Sequence, residues 1–275
     1  MIMLTIKDLS FRYNDHYVLK NCNLQVNAGD IVGLIGDNGA GKTTLMKLIS
    51  GILPDYTGDI TVNSETIGVL IENPTLYPNM TVLSNLHFFC NLYNRPQGVI
   101  DDYKTILNVA SYLNKKVSKL SMGMKQRIGL FVALICSETF ILLDEPTNGL
   151  DPTGILELLT LIKRLAREKG ITFIISSHIL QNLEAICTKH ILLSHQKITT
   201  LDTGKYLRYK IYSFDISQKN LVQLLEKGAF EFEQNKRDII VSDVVAIESF
   251  LKDHHILIEK EKIKLSEVYF DEKEI

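Results

Sequence analysis

The sequence predicts an α/β fold with a mixed N-terminal β region, a parallel core sheet interrupted by a helical insert, and a small α+β module at its C-terminal end. Three observations predict it. A short apolar strand at 31–35 runs into a glycine-rich loop and then into a helical pattern that begins after Gly41. Strand patterns at 140–143, 171–176 and 191–193 alternate with helical stretches at 155–168 and 180–186, the rhythm of parallel α/β units. After about residue 205 this rhythm stops, and shorter strands and helices follow in a different order.

In chain order, residues 2–7, 17–27 and 31–35 read as strands separated by the turn residues Asn14-Asp15 and Ala28-Gly29-Asp30. Between 73 and 134 the β signal fades. Apolar residues there recur at helical spacing, first Leu83, Leu86, Phe89, Cys90, Leu92 and Tyr93, then Ile106, Leu107, Val109, Ala110 and Leu113. These predict a helical insert over about 73–135 that ends in a helix at 124–135. Beyond 205 the pattern predicts a strand at 209–216, a helix at 220–227, a hairpin of 229–233 and 238–242 around Asn235-Lys236-Arg237, a helix at 244–252 and a strand at 256–259. The order β-α-β-β-α-β is that of a ferredoxin-like module. The expected domains are 1–205 and 206–275.

Composition narrows the function. The chain has 275 residues, 45% of them hydrophobic and 23% charged, enough for a sizeable core. Thirty Lys plus Arg against thirty-two Asp plus Glu leave a formal charge of -2, without the basic excess of dedicated nucleic-acid binders, so no nucleic-acid partner is expected. Cys22, Cys90, Cys136 and Cys187 are scattered, which disfavours a zinc site or a disulfide framework and fits a reducing compartment. Residues 1–8 lack the basic and apolar regions of a signal peptide, and the apolar run from Ile128 to Leu143 is too interrupted to span a bilayer. A membrane role would therefore require another chain.

Gly36-Asp37-Asn38-Gly39-Ala40-Gly41-Lys42-Thr43-Thr44 satisfies G-x-x-x-x-G-K-[ST], between a strand and a helix as that motif requires. Its glycines let backbone N–H groups and the helix N-terminus face phosphate oxygens. Lys42 adds a positive charge, and the Thr43 hydroxyl is a ligand for Mg²⁺. The loop predicts a nucleoside triphosphate site. Downstream, Phe140-Ile141-Leu142-Leu143-Asp144-Glu145 delivers two acids at the C-terminal edge of an apolar strand, where ligands of open parallel sheets bind. Asp144 is expected to hold Mg²⁺ through water, and Glu145 to polarise the attacking water.

Leu120-Ser121-Met122-Gly123-Met124-Lys125-Gln126-Arg127, shortly before the acidic strand, resembles the L-S-G-G-Q signature of ATP-binding cassette (ABC) proteins. Other landmarks follow the family order across about residues 1–205. Tyr13 lies where the adenine-stacking aromatic is expected, Asn148-Gly149-Leu150-Asp151 looks like the loop that touches the partner subunit, and His178 like the switch histidine. The closing Leu265-Ser266-Glu267-Val268-Tyr269-Phe270 resembles the tail of drug- and antibiotic-exporting cassette subunits.

The resemblance implies a P-loop ATPase that binds ATP and Mg²⁺ between two copies, one giving the phosphate loop and the other Ser121, Gly123 and Asp151. It implies a cytoplasmic subunit, peripheral on the membrane, that energises a separate permease. Two positions depart from the family. Met122 and Met124 replace Gly and Gln in the signature, and Glu72 stands where the family usually has a Gln that reaches Mg²⁺ and water. Glu72 followed by Tyr77-Pro78-Asn79-Met80-Thr81-Val82 is similar to the bacitracin-type and lantibiotic-immunity exporters. Two other functions share these motifs: a soluble cassette ATPase of translation or DNA maintenance, and a regulatory or immunity module that barely hydrolyses ATP. The chain lacks the second cassette or long coiled coils usual in the first, and Glu145 argues against the second.

Overall fold

Strands β1 (Ile2–Tyr13) and β2 (His16–Asn27) form an antiparallel ribbon that precedes β3 (Ile31–Ile35), helix α1 (Lys42–Ile49) and β4 (Thr57–Val62). β4 returns to β1, giving a three-stranded sheet of order β2-β1-β4. The computed structural model describes residues 1–71, 74–201, 209–234, 238–262 and 265. The chain divides into two units, Met1–Leu201 and Asp202–Ile275.

Alternation predicts a first strand over 2–7, yet β1 continues to Tyr13. Asp8 has φ 50° and the pairing slips between Ile6 and Leu9. This bulge resets the inward face, so Leu9 and Phe11 are buried even though Lys7 and Asp8 break the pattern before them.

The main sheet adds β5 (Gly68–Leu70), β6 (Phe140–Leu143), β7 (Thr172–Ser176), β8 (Lys189–Ser194) and β9 (Lys197–Leu201). Its order is β5-β6-β7-β3-β8-β9, parallel throughout except for the final β8–β9 hairpin. Every residue of β3, β6 and β7 is buried, which is why these strands read as apolar runs without alternation. Leu34, Leu45, Met46, Phe140 and Ile174 share one cluster with Leu4, Ile6 and Leu24, joining α1 and the main sheet to the smaller one.

Between β5 and β6 lie α2 (Val82–Leu92), α3 (Gly98–Lys104), 3-10 turns at Ala110–Tyr112 and Val117–Lys119, and α4 (Met122–Cys136). The helical spacing over 106–113 does not make a helix. α3 ends before it, and Asn108 takes φ 56°, a left-handed value that stops helical propagation. Leu107 and Val109 are nonetheless buried, so their spacing reports burial and not a helix. The remaining helices of this unit are α5 (Pro152–Lys169), which ends on Gly170 at φ 69°, and α6 (Leu180–Ile186).

In the second unit, β10 (Tyr209–Tyr212), α7 (Gln218–Lys227), β11 (Phe232–Gln234), β12 (Ile239–Val241), α8 (Val244–Asp253) and β13 (Glu259–Lys262) follow one another. The sheet order is β11-β12-β10-β13, all antiparallel. Its core gathers Ile211, Leu221, Leu225, Ile239, Val241, Ile247 and Leu251. The last strand lies later than the expected 256–259: Ile256 and Ile258 pack on the core, while the ladder to β10 begins at Glu259. Its Glu-Lys-Glu-Lys sequence suits a sheet edge, where charge discourages pairing with other chains. Residues 202–208 and Asn235-Lys236-Arg237, as well as the tail from Ser266, lie outside the described residues.

Candidate functional site

The glycine loop is held open by what surrounds it. Gly41 has φ 104°, and a Cβ there would lie 2.5 Å from Val18 Cγ1; one on Gly36 would lie 2.6 Å from the Leu193 carbonyl oxygen. No larger residue fits at either place without moving backbone or core. The Ala40 N–H donates to the Asp37 carbonyl, 3.1 Å, tightening the turn. Lys42 is only 7% exposed, and its Nζ donates to the carbonyls of Gly36, 2.7 Å, and Asp37, 3.1 Å. The ammonium is thus parked over the loop by the loop's own oxygens.

The acidic pair reaches this loop from β6. Asp144, 4% exposed, anchors its N–H on the Leu70 carbonyl of β5, 2.8 Å. Its two carboxylate oxygens each accept a hydroxyl: Thr43 Oγ1 donates to Oδ2 and Ser176 Oγ to Oδ1, both at 2.5 Å. A buried carboxylate needs such donors, since without them its desolvation would go uncompensated. The Thr43 bond also bears on a metal. The hydroxyl proton points to Asp144, leaving the hydroxyl lone pairs for a cation, and a hydroxyl beside a carboxylate is the hard oxygen set that Mg²⁺ prefers, so these residues fit the ion.

Glu145 takes φ 50°, unusual for a residue other than glycine. Its N–H donates to Ser176 Oγ, 2.8 Å, and its Oε2 lies 2.8 Å from His178 Nδ1 and accepts from the His178 N–H at 3.4 Å. The ring nitrogen and the carboxylate thus share one hydrogen bond.

A cavity of about 360 Å³ brings Tyr13, Asn38, Gly39, Gly41, Lys42, Thr43, Thr44, Asp144 and Glu145 together. Tyr13 is 48% exposed at its mouth, edge-on to Phe11 at 4.8 Å between ring centroids. A ring with one face free is suited to stack on a base. Of the loop residues, Gly36, Asp37 and Ala40 shape the turn and do not line the cavity. His178 joins through Glu145. Glu72 lies outside the described residues.

Ser121, Gly123 and Asp151 are elsewhere. They line a second cavity of about 590 Å³ with Met122, Met124, Gly149 and Leu150, and the two cavities share no residue. Ser121 caps α4, its Oγ accepting from Met124 N–H at 3.3 Å, and Asp151 caps α5, its Oδ1 accepting from Gly154 N–H at 3.1 Å. Sequence reasoning missed Ser176, Val18 and the Leu70 carbonyl. For Ser176 the available signal was a hydroxyl closing the run Phe173-Ile174-Ile175 two residues before His178.

A glycine loop with its lysine and hydroxyl at a helix start, facing an acid pair on a neighbouring strand of a parallel sheet, defines a P-loop nucleoside triphosphatase. The profile of the ABC transporter family matches residues 19–148. The chain is 34% identical over 240 residues to the bacitracin transport ATP-binding protein BcrA of Bacillus licheniformis, an alignment covering 82% of this chain and 78% of BcrA. It is 36% identical over 190 residues to the lantibiotic transport ATP-binding protein SrtF of Streptococcus pyogenes, covering 66% of this chain and 82% of SrtF. A solved ATP-binding subunit of an ABC transporter superposes with a TM-score of 0.65 at 28% identity, over 74% of this chain and 92% of that one. The chain belongs to the ABC transporter ATP-binding proteins and is an ATPase. Among the described residues no helix is long and apolar enough to cross a membrane.

Proposed function

We propose that this chain energises export of a peptide antibiotic or similar amphipathic compound, working as a pair of cassettes on a separate permease at the inner face of the membrane. The observation that carries the paired arrangement is the separation of the two cavities: Lys42, Thr43, Asp144 and Glu145 line one, Ser121 and Asp151 the other. A nucleotide bound in the first cavity would meet the Ser121 helix only from a second copy. That helix start offers backbone N–H groups and a positive dipole end to the γ-phosphate.

In this reading Lys42 and the loop N–H groups hold the β- and γ-phosphates, Tyr13 stacks on adenine, and Glu145 accepts a hydrogen bond from the attacking water and orients it. His178 keeps Glu145 aimed and contacts the γ-phosphate. Mg²⁺, held by Thr43 and Asp144, would neutralise phosphate charge when bound, and Glu72 is proposed to act on it in place of the family's usual Gln. The cargo is argued from BcrA and SrtF, whose names record bacitracin and lantibiotic transport.

The test is co-expression with a candidate multi-span permease, followed by co-purification and a growth assay on bacitracin and a lantibiotic. Retention on the permease, with resistance that disappears in Glu145→Gln, is expected. No co-purification and no change in resistance would sink the export reading. Glu72→Gln should alter resistance more than the ATPase rate of the isolated subunit; equal effects on both would remove Glu72 from permease coupling.

A further inference from the structure

Two residues, Ser176 at the end of β7 and His178 just beyond it, hold Glu145 at both ends. His178 grips the carboxylate, with Nδ1 2.8 Å and the backbone N–H 3.4 Å from Oε2. Ser176 grips the backbone, accepting from the Glu145 N–H at 2.8 Å. The same Ser176 hydroxyl donates to Asp144 Oδ1 at 2.5 Å, so one oxygen ties the side chain of one acid to the main chain of the next. Ser176 is fully buried, and the register that sets Leu143 opposite Ile175 brings Ser176 alongside Asp144.

These bonds matter because Glu145 has φ 50°, a left-handed conformation that an L-residue adopts only when its surroundings impose it. Backbone direction decides where the Glu145 side chain starts and therefore where its carboxylate meets water. We propose that Ser176 is a positioning residue for ATP hydrolysis: its hydroxyl fixes the Glu145 backbone and the Asp144 carboxylate in a single geometry. The inference rests on the catalytic role given to Glu145 and Asp144 above. A side chain that served packing alone would be apolar here, as its neighbours Ile174 and Ile175 are. Removing the hydroxyl leaves the Glu145 N–H without its acceptor and Asp144 Oδ1 without its donor. The strained turn is then free to relax, with the phosphate loop untouched.

The experiment compares Ser176→Ala, Ser176→Cys and Glu145→Gln in the full chain, measuring ATP affinity by calorimetry, kcat and KM, and thermal unfolding. Ser176→Cys nearly keeps the volume and replaces the hydroxyl by a weak donor, so it decides the matter if Ser176→Ala unfolds. Expected are a fall in kcat of about 10-fold or more for Ala and about 3- to 10-fold for Cys, with ATP Kd within twofold of wild type. Ser176→Ala combined with Glu145→Gln should be no slower than Glu145→Gln alone, since a positioning residue has nothing left to position. The inference is overturned if kcat stays within twofold of wild type in every folded Ser176 variant, if Kd weakens in step with kcat, or if the two losses multiply. If Glu145→Gln itself retains wild-type turnover, the catalytic reading of Glu145 has failed instead.

Discussion

The two cavities of the first unit are built in opposite ways. In the phosphate cavity the polar side chains bond to one another across distant parts of the chain: Thr43 to Asp144, Ser176 to Asp144 and to the Glu145 backbone, and His178 to Glu145. In the signature cavity Ser121 and Asp151 each bond only three residues ahead, to the helix they cap. The first constellation is held by long-range bonds in a sheet whose central strands are wholly buried. The second has two helix starts on a wide concave face; Arg127 and Glu157 pair across it, while Ser121 and Asp151 bond only to the helices they cap. Bonds across the chain on one side and an open face on the other are what the proposed two-copy site would require.

The largest expected break comes from Glu145→Gln. The amide keeps the shape and loses the acceptor proposed to orient the attacking water, so turnover should fall on the order of 100-fold or more, with ATP affinity unchanged in calorimetry. Next comes Lys42→Ala, which removes the charge over the loop. Losing charge-assisted bonds worth about 1.5–3 kcal/mol should weaken ATP binding about 10- to 100-fold, and an unchanged Kd would remove Lys42 from phosphate binding.

Two hydroxyl deletions sharpen the contrast through stability alone. Thr43→Val strips a donor from buried Asp144 and should lower unfolding free energy by about 1–3 kcal/mol in urea titration of the nucleotide-free protein. Tyr112 lines the signature cavity, its buried hydroxyl finds no partner among the described residues, and burial pushes its pKa up to about 12. Tyr112→Phe should therefore change stability by less than about 0.5 kcal/mol or raise it slightly. Equal losses in the two variants would show that the cavities are not built differently.

The chemistry-bearing part of the phosphate site was legible because its residues announce themselves: glycines, a lysine and a hydroxyl between a strand and a helix, and two acids closing an apolar run. The geometry that aims them was not. Ser176 reads as the polar end of a strand, and nothing in Leu-Asp-Glu-Pro signals that Glu145 has φ 50°. Three strands also escaped. β4 opens on Thr-Gly-Asp, and its Gly58 is required because a Cβ there would come within 2.5 Å of the Asp8 carbonyl oxygen. β5 has three residues, too few for a period to show. The β8–β9 hairpin turns through His195 and Gln196 at φ 48° and 67°, left-handed positions usually marked by Asn or Gly.

The pairing of the two cavities is tested most directly by the mass of Glu145→Gln in multi-angle light scattering, with and without ATP. A monomer without nucleotide and a dimer with ATP is the expected result, and adding Ser121→Arg should return the ATP-bound sample to monomer while leaving ATP affinity intact. A Glu145→Gln protein that binds ATP and stays monomeric, or one whose dimer ignores Ser121→Arg, would contradict the two-copy site.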